Sequence, residues 1–166
     1  MLPSTSFRPL DPETDWAFFD PGFHVPQEIQ AEVQALTEAG SAELWTEHVS
    51  ANPNERHPML LPGSHWLKPK LQGPNWMPEF NGKQSEAAVG TFLQEVFELG
   101  MQELILFIAM RERSYSVPFG VFLRHWPSFV AGDDEGSFLF HPRSGAFACF
   151  GPNGSLSFGR RSANAA

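Results

Sequence analysis

The last third of the chain carries short apolar segments that are separated by turn residues. Phe, Leu and Ala alternate with other side chains over 137–141, 146–150 and 156–160. A Pro-Arg-Ser-Gly turn separates the first two segments, and Asn153-Gly154, a strong hairpin signal, precedes the third. The pattern predicts an antiparallel meander at this end of the chain.

Two strands and a helix are predicted immediately before this meander. The apolar run within 103–110 indicates a buried strand, and 117–119 a short one. Residues 120–130 place Phe, Leu, Trp and Val at helical spacing and therefore predict a helix.

The N-terminal half opens with a segment of helical spacing. Pro26 suits the first position of a helix, and Ile29, Val33 and Leu36 follow on one side of it. Before it, 16–20 is expected to form either a short strand or an irregular arm.

Two more helices are predicted before residue 100. The first is capped by Thr37 or Ser41 and reaches Ser50. The next helix is predicted over 85–99, with Ser85 as its cap. Gly100 is expected to supply the left-handed residue beyond its end. Its broad apolar face predicts that this central helix is buried.

Residues 51–82 form a proline-rich loop with six prolines and three glycines, which suits neither a helix nor a central strand. Its own apolar side chains, Trp66 and Trp76 among them, are expected to pack it down. We therefore predict a single α+β domain over 1–166. Its N-terminal helices and one buried central helix pack on a C-terminal antiparallel β-meander.

Composition narrows the class of protein. The chain has 42% hydrophobic and 18% charged residues and a formal net charge of −8, which argues against a nucleic-acid binder. The single cysteine, Cys149, excludes an intramolecular disulfide framework. No secretory signal is visible at the N-terminus, and the longest apolar run is too short to span a bilayer. We expect a cytoplasmic protein with no membrane partner.

The charge distribution is uneven. Residues 9–55 contain ten acids and no Lys or Arg. The predicted helices place Glu28 with Glu32, and Glu43 with Glu47, at the spacing i, i+4, where like charges cost about 0.2–0.5 kcal/mol per pair. Such a surface suits a basic protein partner, and the alternative is an ordinary solvated acidic face. The candidate partner-binding acids are Asp20, Glu28, Glu32, Glu38, Glu43 and Glu47.

Two further groups complete the candidate partner-binding surface. Asp133, Asp134 and Glu135 form a second acidic cluster, whose spacing matches no calcium loop and is also typical of a polar turn. Trp66 and Trp76 are isolated in the proline-rich loop, and exposed Trp is enriched where proteins bind each other. Core packing of the loop is the alternative role of these indoles.

A catalytic assignment has little support in the sequence. No Gly-x-Ser-x-Gly elbow, phosphate-binding glycine loop or His-Glu-x-x-His motif occurs, so no cofactor is predicted. One enzymatic alternative stays open, a metal-dependent hydrolase. Its site would be assembled in three dimensions from His57, His65, His125, Asp133 and Asp134.

Two segments resemble a small family of uncharacterised bacterial proteins. They are 36–45, followed by His57-Pro58 and Trp66, and 119–129, followed by Asp133-Asp134. This resemblance covers most of the chain and implies a fold relationship but no activity.

A looser likeness links the chain to bacterial immunity proteins of the SUKH type, which are α+β, often acidic, and end in a meander. It is carried by Trp126, Phe129, the acidic turn with Gly136, and Asn153-Gly154. This likeness implies a non-enzymatic protein that neutralises a basic toxin by occluding it. That function is the leading hypothesis, with the hydrolase as its alternative. A third possibility is an adaptor that binds a peptide through the two loop tryptophans.

Overall fold

One antiparallel sheet organises the chain. A computed structural model describes residues 6–77, 84–133 and 136–162, and all statements below concern these residues. The strands pair in the order β1-β2-β5-β4-β6-β7-β8-β3. They are β1 (Phe7–Arg8), β2 (Gln34–Leu36), β3 (Leu71–Gln72), β4 (Leu104–Met110), β5 (Arg113–Pro118), β6 (Ser137–His141), β7 (Ala146–Phe150) and β8 (Leu156–Arg160).

Helices cover both faces of this sheet. They are α1 (Gln27–Gln30), α2 (Glu38–His48), α3 (Gln84–Phe97) and α4 (Phe119–Val130). The predicted α+β class is confirmed, but the helices are not confined to the N-terminal half, because α4 lies between β5 and β6.

The C-terminal meander is confirmed with the predicted bounds. Phe138 and Phe140 of β6 point to one face of the sheet and Leu139 points to the other, as the two-residue period of a strand requires. Both faces are buried, so the fold has two apolar cores. One core, on the α2 face, contains Trp45 and Phe147. The other, on the α3/α4 face, holds most of the remaining apolar residues.

The prediction of the first helix is wrong beyond its first turn. The helix α1 ends at Gln30, and the chain then turns into strand β2. Ala35 packs into the α3/α4-face core and Leu36 into the α2-face core, which is strand alternation. The apolar spacing over so short a window fits either element. The strand is favoured here because β2 pairs with β1 and with β5.

The second predicted helix is confirmed as α2, and the structure selects Thr37 as its cap. The Thr37 side chain accepts a hydrogen bond from the backbone N–H of Gly40. Leu44, Trp45 and Val49 are buried on its inner side. Upstream, 16–20 is an irregular arm that contains a short 3-10 turn rather than a strand.

The central and fourth helices are confirmed with three corrections. The central helix α3 begins at Gln84, so Ser85 lies inside its first turn and the prediction of Ser85 as its cap is wrong. Glu98, at φ 55°, is the left-handed residue after α3, so the prediction of Gly100 in that role is wrong. The interior of α4 has a kink at His125, next to Pro127. In addition, β5 is twice as long as the predicted 117–119, because its serines are buried along with Tyr115 and Val117.

The proline-rich loop is anchored to both cores. Trp66 packs against the α2-face core, whereas Trp76 is buried in the α3/α4-face core. Between them, β3 pairs with β8 at the edge of the sheet, with Leu71 opposite Phe158. Packing by the loop's own indoles is therefore confirmed.

An ion pair between Arg8 and the buried carboxylate of Asp15 fixes the N-terminal arm to the sheet. Arg8 contacts both oxygens of the Asp15 carboxylate, at 2.6 and 3.1 Å, and the hydroxyl of Tyr115 donates to Asp15 at 2.6 Å. The backbone N–H of Asp11 donates to it as well, at 2.8 Å. Burial alone would raise the pKa of Asp15, but these bonds outweigh it and hold that pKa below its ordinary value. The Asp15 carboxylate thus joins Arg8 and Asp11 of the same arm to Tyr115 of strand β5.

Candidate functional site

The predicted acidic residues lie on both faces of the molecule. Glu38, Glu43 and Glu47 are exposed on α2, where Glu43 and Glu47 stand one helical turn apart as predicted. The remaining three exposed acids, Asp20, Glu28 and Glu32, belong to the arm and to the region of α1, which pack on the α3/α4 face.

Glu28 and Glu32 do not form the predicted helical pair. Glu28 lies in α1, but Glu32 follows the end of that helix and lies in the turn before β2. The i, i+4 geometry therefore holds only for Glu43 and Glu47.

The two loop tryptophans differ in what they offer a partner. Trp76 is only 8% exposed, and its indole Nε1 donates to the carbonyl oxygen of Gly151 at 2.9 Å. Trp66 is half-buried and keeps part of its ring at the surface. Of the two tryptophans predicted to bind a partner, Trp66 has the more accessible ring.

The second acidic cluster is described only at its first residue. Asp133 is buried, and its Oδ2 lies 3.8 Å from Nε2 of His57. Asp134 and Glu135 lie outside the described residues.

The candidate metal ligands are dispersed. Within 6–77, 84–133 and 136–162, no three His, Cys, Asp or Glu side chains are grouped as a metal site would require. His57 and Asp133 come together, but His65 bonds to the backbone beyond α2, and His125 lies at the kink of α4. The described structure therefore does not assemble the set that the hydrolase alternative names.

A cleft of about 750 Å³ lies beside the C-terminal end of α2. Its walls are the residues 46–51, the loop segment 64–70 and the end of β8 with the residues that follow it. Trp66 lies within 5.4 Å of the rings of Phe140 and Phe147, measured between centroids, which fixes this wall to the α2-face core.

Cations dominate the lining of this cleft. Lys68, Lys70 and Arg161 contribute to it, and among the described residues that line it Glu47 is the one carboxylate. Arg160 also contributes to the lining, but its guanidinium lies 3.7 Å from Glu98 and donates to a carbonyl of α3. The cleft is therefore basic in a chain whose net charge is −8.

Two side chains of the cleft cover the end of α2. Arg161 lies 5.1 Å from the ring centroid of Trp66 and donates to the carbonyl oxygen of His48 at 3.2 Å. Nε2 of His65 lies 2.7 Å from the carbonyl oxygen of Val49, and the backbone N–H of Leu67 donates to Nδ1 of His65. Because Nδ1 accepts a hydrogen bond, the proton of the neutral imidazole lies on Nε2 and is donated to Val49.

The sequence analysis missed the cationic residues of this cleft. Lys68 and Lys70 were visible as an alternate-residue pair within the proline-rich loop, and Arg160-Arg161 as a pair after the last predicted strand. Only the pairing of β3 with β8 shows that these two basic segments are neighbours.

Cys149 is predicted to be a poor nucleophile. Burial raises the pKa of its thiol to about 12. At pH 8 the fraction of thiolate is then on the order of a thousandfold below that of an ordinary cysteine. We expect the native protein to react with a disulfide reagent far more slowly than glutathione does, and the guanidinium-unfolded chain to react at the ordinary rate. Complete reaction of the native thiol within seconds would contradict this assignment.

The architecture defines a class of protein. It is an α+β protein with one antiparallel sheet that is covered on both faces and bears a basic cleft at one end of α2. A family model described as "Protein of unknown function (DUF2947)" matches residues 8–159, and the chain therefore belongs to that family. No curated protein and no solved structure matches it.

This match confirms the resemblance to a family of uncharacterised proteins. It gives no support to the looser likeness to SUKH-type immunity proteins. None of the helices in the described part of the chain is both long and apolar enough to cross a membrane.

Proposed function

We propose that this protein is a non-enzymatic binding protein of the immunity type, which neutralises a basic protein toxin by covering it. The observation that carries the proposal is the outer side of α2. There Glu43 and Glu47 are exposed one helical turn apart, on a helix whose opposite side is packed into a core. Glu38 is exposed in the first turn of the same helix. A rigid helix that displays carboxylates is a suitable surface for Lys and Arg side chains of a partner.

The orientation of α2 is fixed by its buried side. Trp45 has no exposed surface, and Leu44 and Val49 are 3% and 7% exposed. The helix cannot rotate without exposing these side chains, so Glu43 and Glu47 hold their places on the outer surface. A fixed orientation spares a partner the entropy of ordering the helix.

Glu38 and Glu43 of α2 are not among the residues that line the basic cleft, whereas Glu47 borders it. The segment 9–55 has no Lys or Arg. Among the described residues, the only ion pair on this side is between Glu47 and His48, at 3.6 Å, and it requires a protonated imidazole. An acidic surface of this kind accelerates the approach of a basic protein, and the acceleration weakens as salt is added.

Inhibition by occlusion requires no chemistry from the inhibitor. A toxin whose substrate is anionic needs a basic active-site surface, and carboxylates on a rigid helix compete for that surface. The proposal therefore needs only complementary charge and a stable fold.

The proposal is tested by capturing partners on the tagged full-length chain from lysate of its source. The double variant Glu43→Lys/Glu47→Lys is compared with wild type. We expect wild type to retain a stoichiometric basic protein that high salt releases and that the variant does not retain. Expressed alone, that protein should arrest growth, and co-expression of wild type should restore it.

The matched control is Glu86→Lys/Glu95→Lys, which makes the same change of charge at exposed positions of α3. It should capture the partner as wild type does. Equal capture by the α2 variant would remove α2 from the interface. A captured partner that is harmless when expressed alone would overturn the immunity role.

A further inference from the structure

We propose that the basic cleft beside α2 binds a small polyphosphorylated molecule through Lys68, Lys70 and Arg161. Glu47 lines this cleft and also belongs to the acidic outer surface of α2, so the two surfaces adjoin, but the ligand site does not rest on the protein partner proposed above.

The shape of the cleft suits a ligand rather than a protein surface. Its volume of about 750 Å³ is within the range of small-molecule sites, roughly 300–1,000 Å³. One wall is the half-buried indole of Trp66, which is tied to Phe140 and Phe147. The wall of the cleft is thus packed against the α2-face core.

Strand register places Lys70 on the cleft side of the sheet edge. Leu71 pairs with Phe158, and the backbone N–H of Lys70 donates to the carbonyl oxygen of Phe158. Phe158 packs toward the α3/α4 face, so Lys70, one residue before Leu71, faces the other way. Lys68 contributes to the lining of the same cleft.

The ammonium groups of Lys68 and Lys70 are not neutralised by the described residues. Neither group forms an ion pair or a side-chain hydrogen bond within 6–77, 84–133 and 136–162, and both side chains are exposed. Both ammonium groups therefore have hydrogen-bond donors available for an anionic ligand.

Arg161 supplies a cation that is already oriented. Its guanidinium rests over the Trp66 ring and donates to the carbonyl oxygen of His48. Planar guanidinium groups held in this way suit phosphate recognition, because little further side-chain entropy is lost when the anion binds.

The end of α2 would otherwise repel an anion. Unsatisfied carbonyls at a helix C-terminus carry partial negative charge. Here the carbonyls of His48 and Val49 receive hydrogen bonds from Arg161 and His65, which reduces that charge where it faces the cleft. Arg161 and His65 therefore cap the C-terminal end of α2 and reduce its repulsion of a phosphate.

Several phosphates fit the lining better than one. Three cations contribute from two walls, and Ser64 and Ser162 add hydroxyl groups among the lining residues. A single phosphate engages one or two of these groups, whereas a pyrophosphate or triphosphate spans more of them. The ligand class is therefore a small molecule with a polyphosphate group.

The test is calorimetric titration of the full-length protein at low salt with inorganic pyrophosphate and, separately, with a nucleoside triphosphate. We expect saturable binding of one molecule per chain. In Lys68→Gln/Lys70→Gln the affinity should fall at least about tenfold, since two charged hydrogen bonds are lost. The control Arg124→Gln/Arg143→Gln removes the same charge at exposed positions outside the cleft and should bind as wild type does.

The two probes separate the sources of affinity. Equal binding of both probes supports a site for the polyphosphate group alone. Tighter binding of the nucleotide supports a site that also contacts the nucleoside, and Trp66→Leu should then remove the difference. Absence of binding by both probes at millimolar concentration overturns the proposal, and so does equal weakening in the lysine variant and the arginine control.

Discussion

Asp15→Asn is expected to lower the free energy of unfolding by about 2–3 kcal/mol, because a buried carboxylate loses its charged hydrogen bonds while Arg8, 27% exposed, can still be hydrated. The Asp15 side chain has no exposed surface and accepts hydrogen bonds from Arg8, Tyr115 and the backbone of Asp11. An amide carries no charge and presents an N–H₂ group where the carboxylate presents an acceptor. Arg8 would lose its charged partner. Urea unfolding, followed by circular dichroism, measures the loss.

The pH dependence of stability provides an independent check on this carboxylate. The pKa of Asp15 is lowered in the folded chain, so its contribution is fully present above the ordinary pKa of aspartate, about 3.9. The contribution disappears as the pH falls from there through the lowered pKa. The difference in stability between wild type and Asp15→Asn should therefore be constant above about pH 5 and should shrink in more acidic buffer.

Two further variants isolate the cause. Glu13→Gln neutralises an exposed carboxylate of the same arm and should leave stability unchanged within about 0.5 kcal/mol. Tyr115→Phe removes one donor to Asp15 and should cost about 1–2 kcal/mol. If Asp15→Asn were no more destabilising than Glu13→Gln, the ion pair would not hold the arm to the sheet.

Phe107→Ala is the second change with a large expected effect, about 3–5 kcal/mol. Phe107 has no exposed surface and lies at the centre of an aromatic cluster on the α3/α4 face. Its ring centroid is 5.7 Å from that of Phe122 and 5.5 Å from that of Phe129, both on α4. Truncation would leave a cavity between β4 and α4 that neither element can fill without moving.

The matched control for Phe107→Ala is on the same strand. Leu104→Ala in β4 shortens a side chain that is 58% exposed and should cost well under 1 kcal/mol. Thermal unfolding of both variants, with the change in heat capacity fixed at the wild-type value, compares them directly. A similar small effect for the two would show that Phe107 is not a central element of this core.

Local signals explain which parts of the fold were predictable. The strands β6, β7 and β8 were predicted with correct bounds, because two-residue alternation and turn residues are properties of neighbouring positions. Thr37 was one of two proposed caps for α2 for the same reason. The prediction of the first helix is wrong beyond Gln30, because the spacing of apolar residues over so few positions did not exclude a strand.

The candidate site was less predictable than the fold. The acids of α2 were found because they are close in the sequence, and one helix presents them together. The basic cleft unites residues near 48, 68 and 161, and no local pattern connects them. Their proximity depends on the pairing of β3, a strand of two residues, with β8. Arg8, Asp15 and Tyr115 escaped prediction for the same reason.

The strand order has a consequence for synthesis on the ribosome. Strands β4 to β8 follow one another in the second half of the chain, whereas β2 must pair with β5, and β3 with β8. The first 77 residues, Trp45 and Trp76 among them, therefore emerge before the strands that will cover their apolar side chains. We expect the nascent N-terminal half to remain unfolded and open to chaperones until β8 has left the exit tunnel.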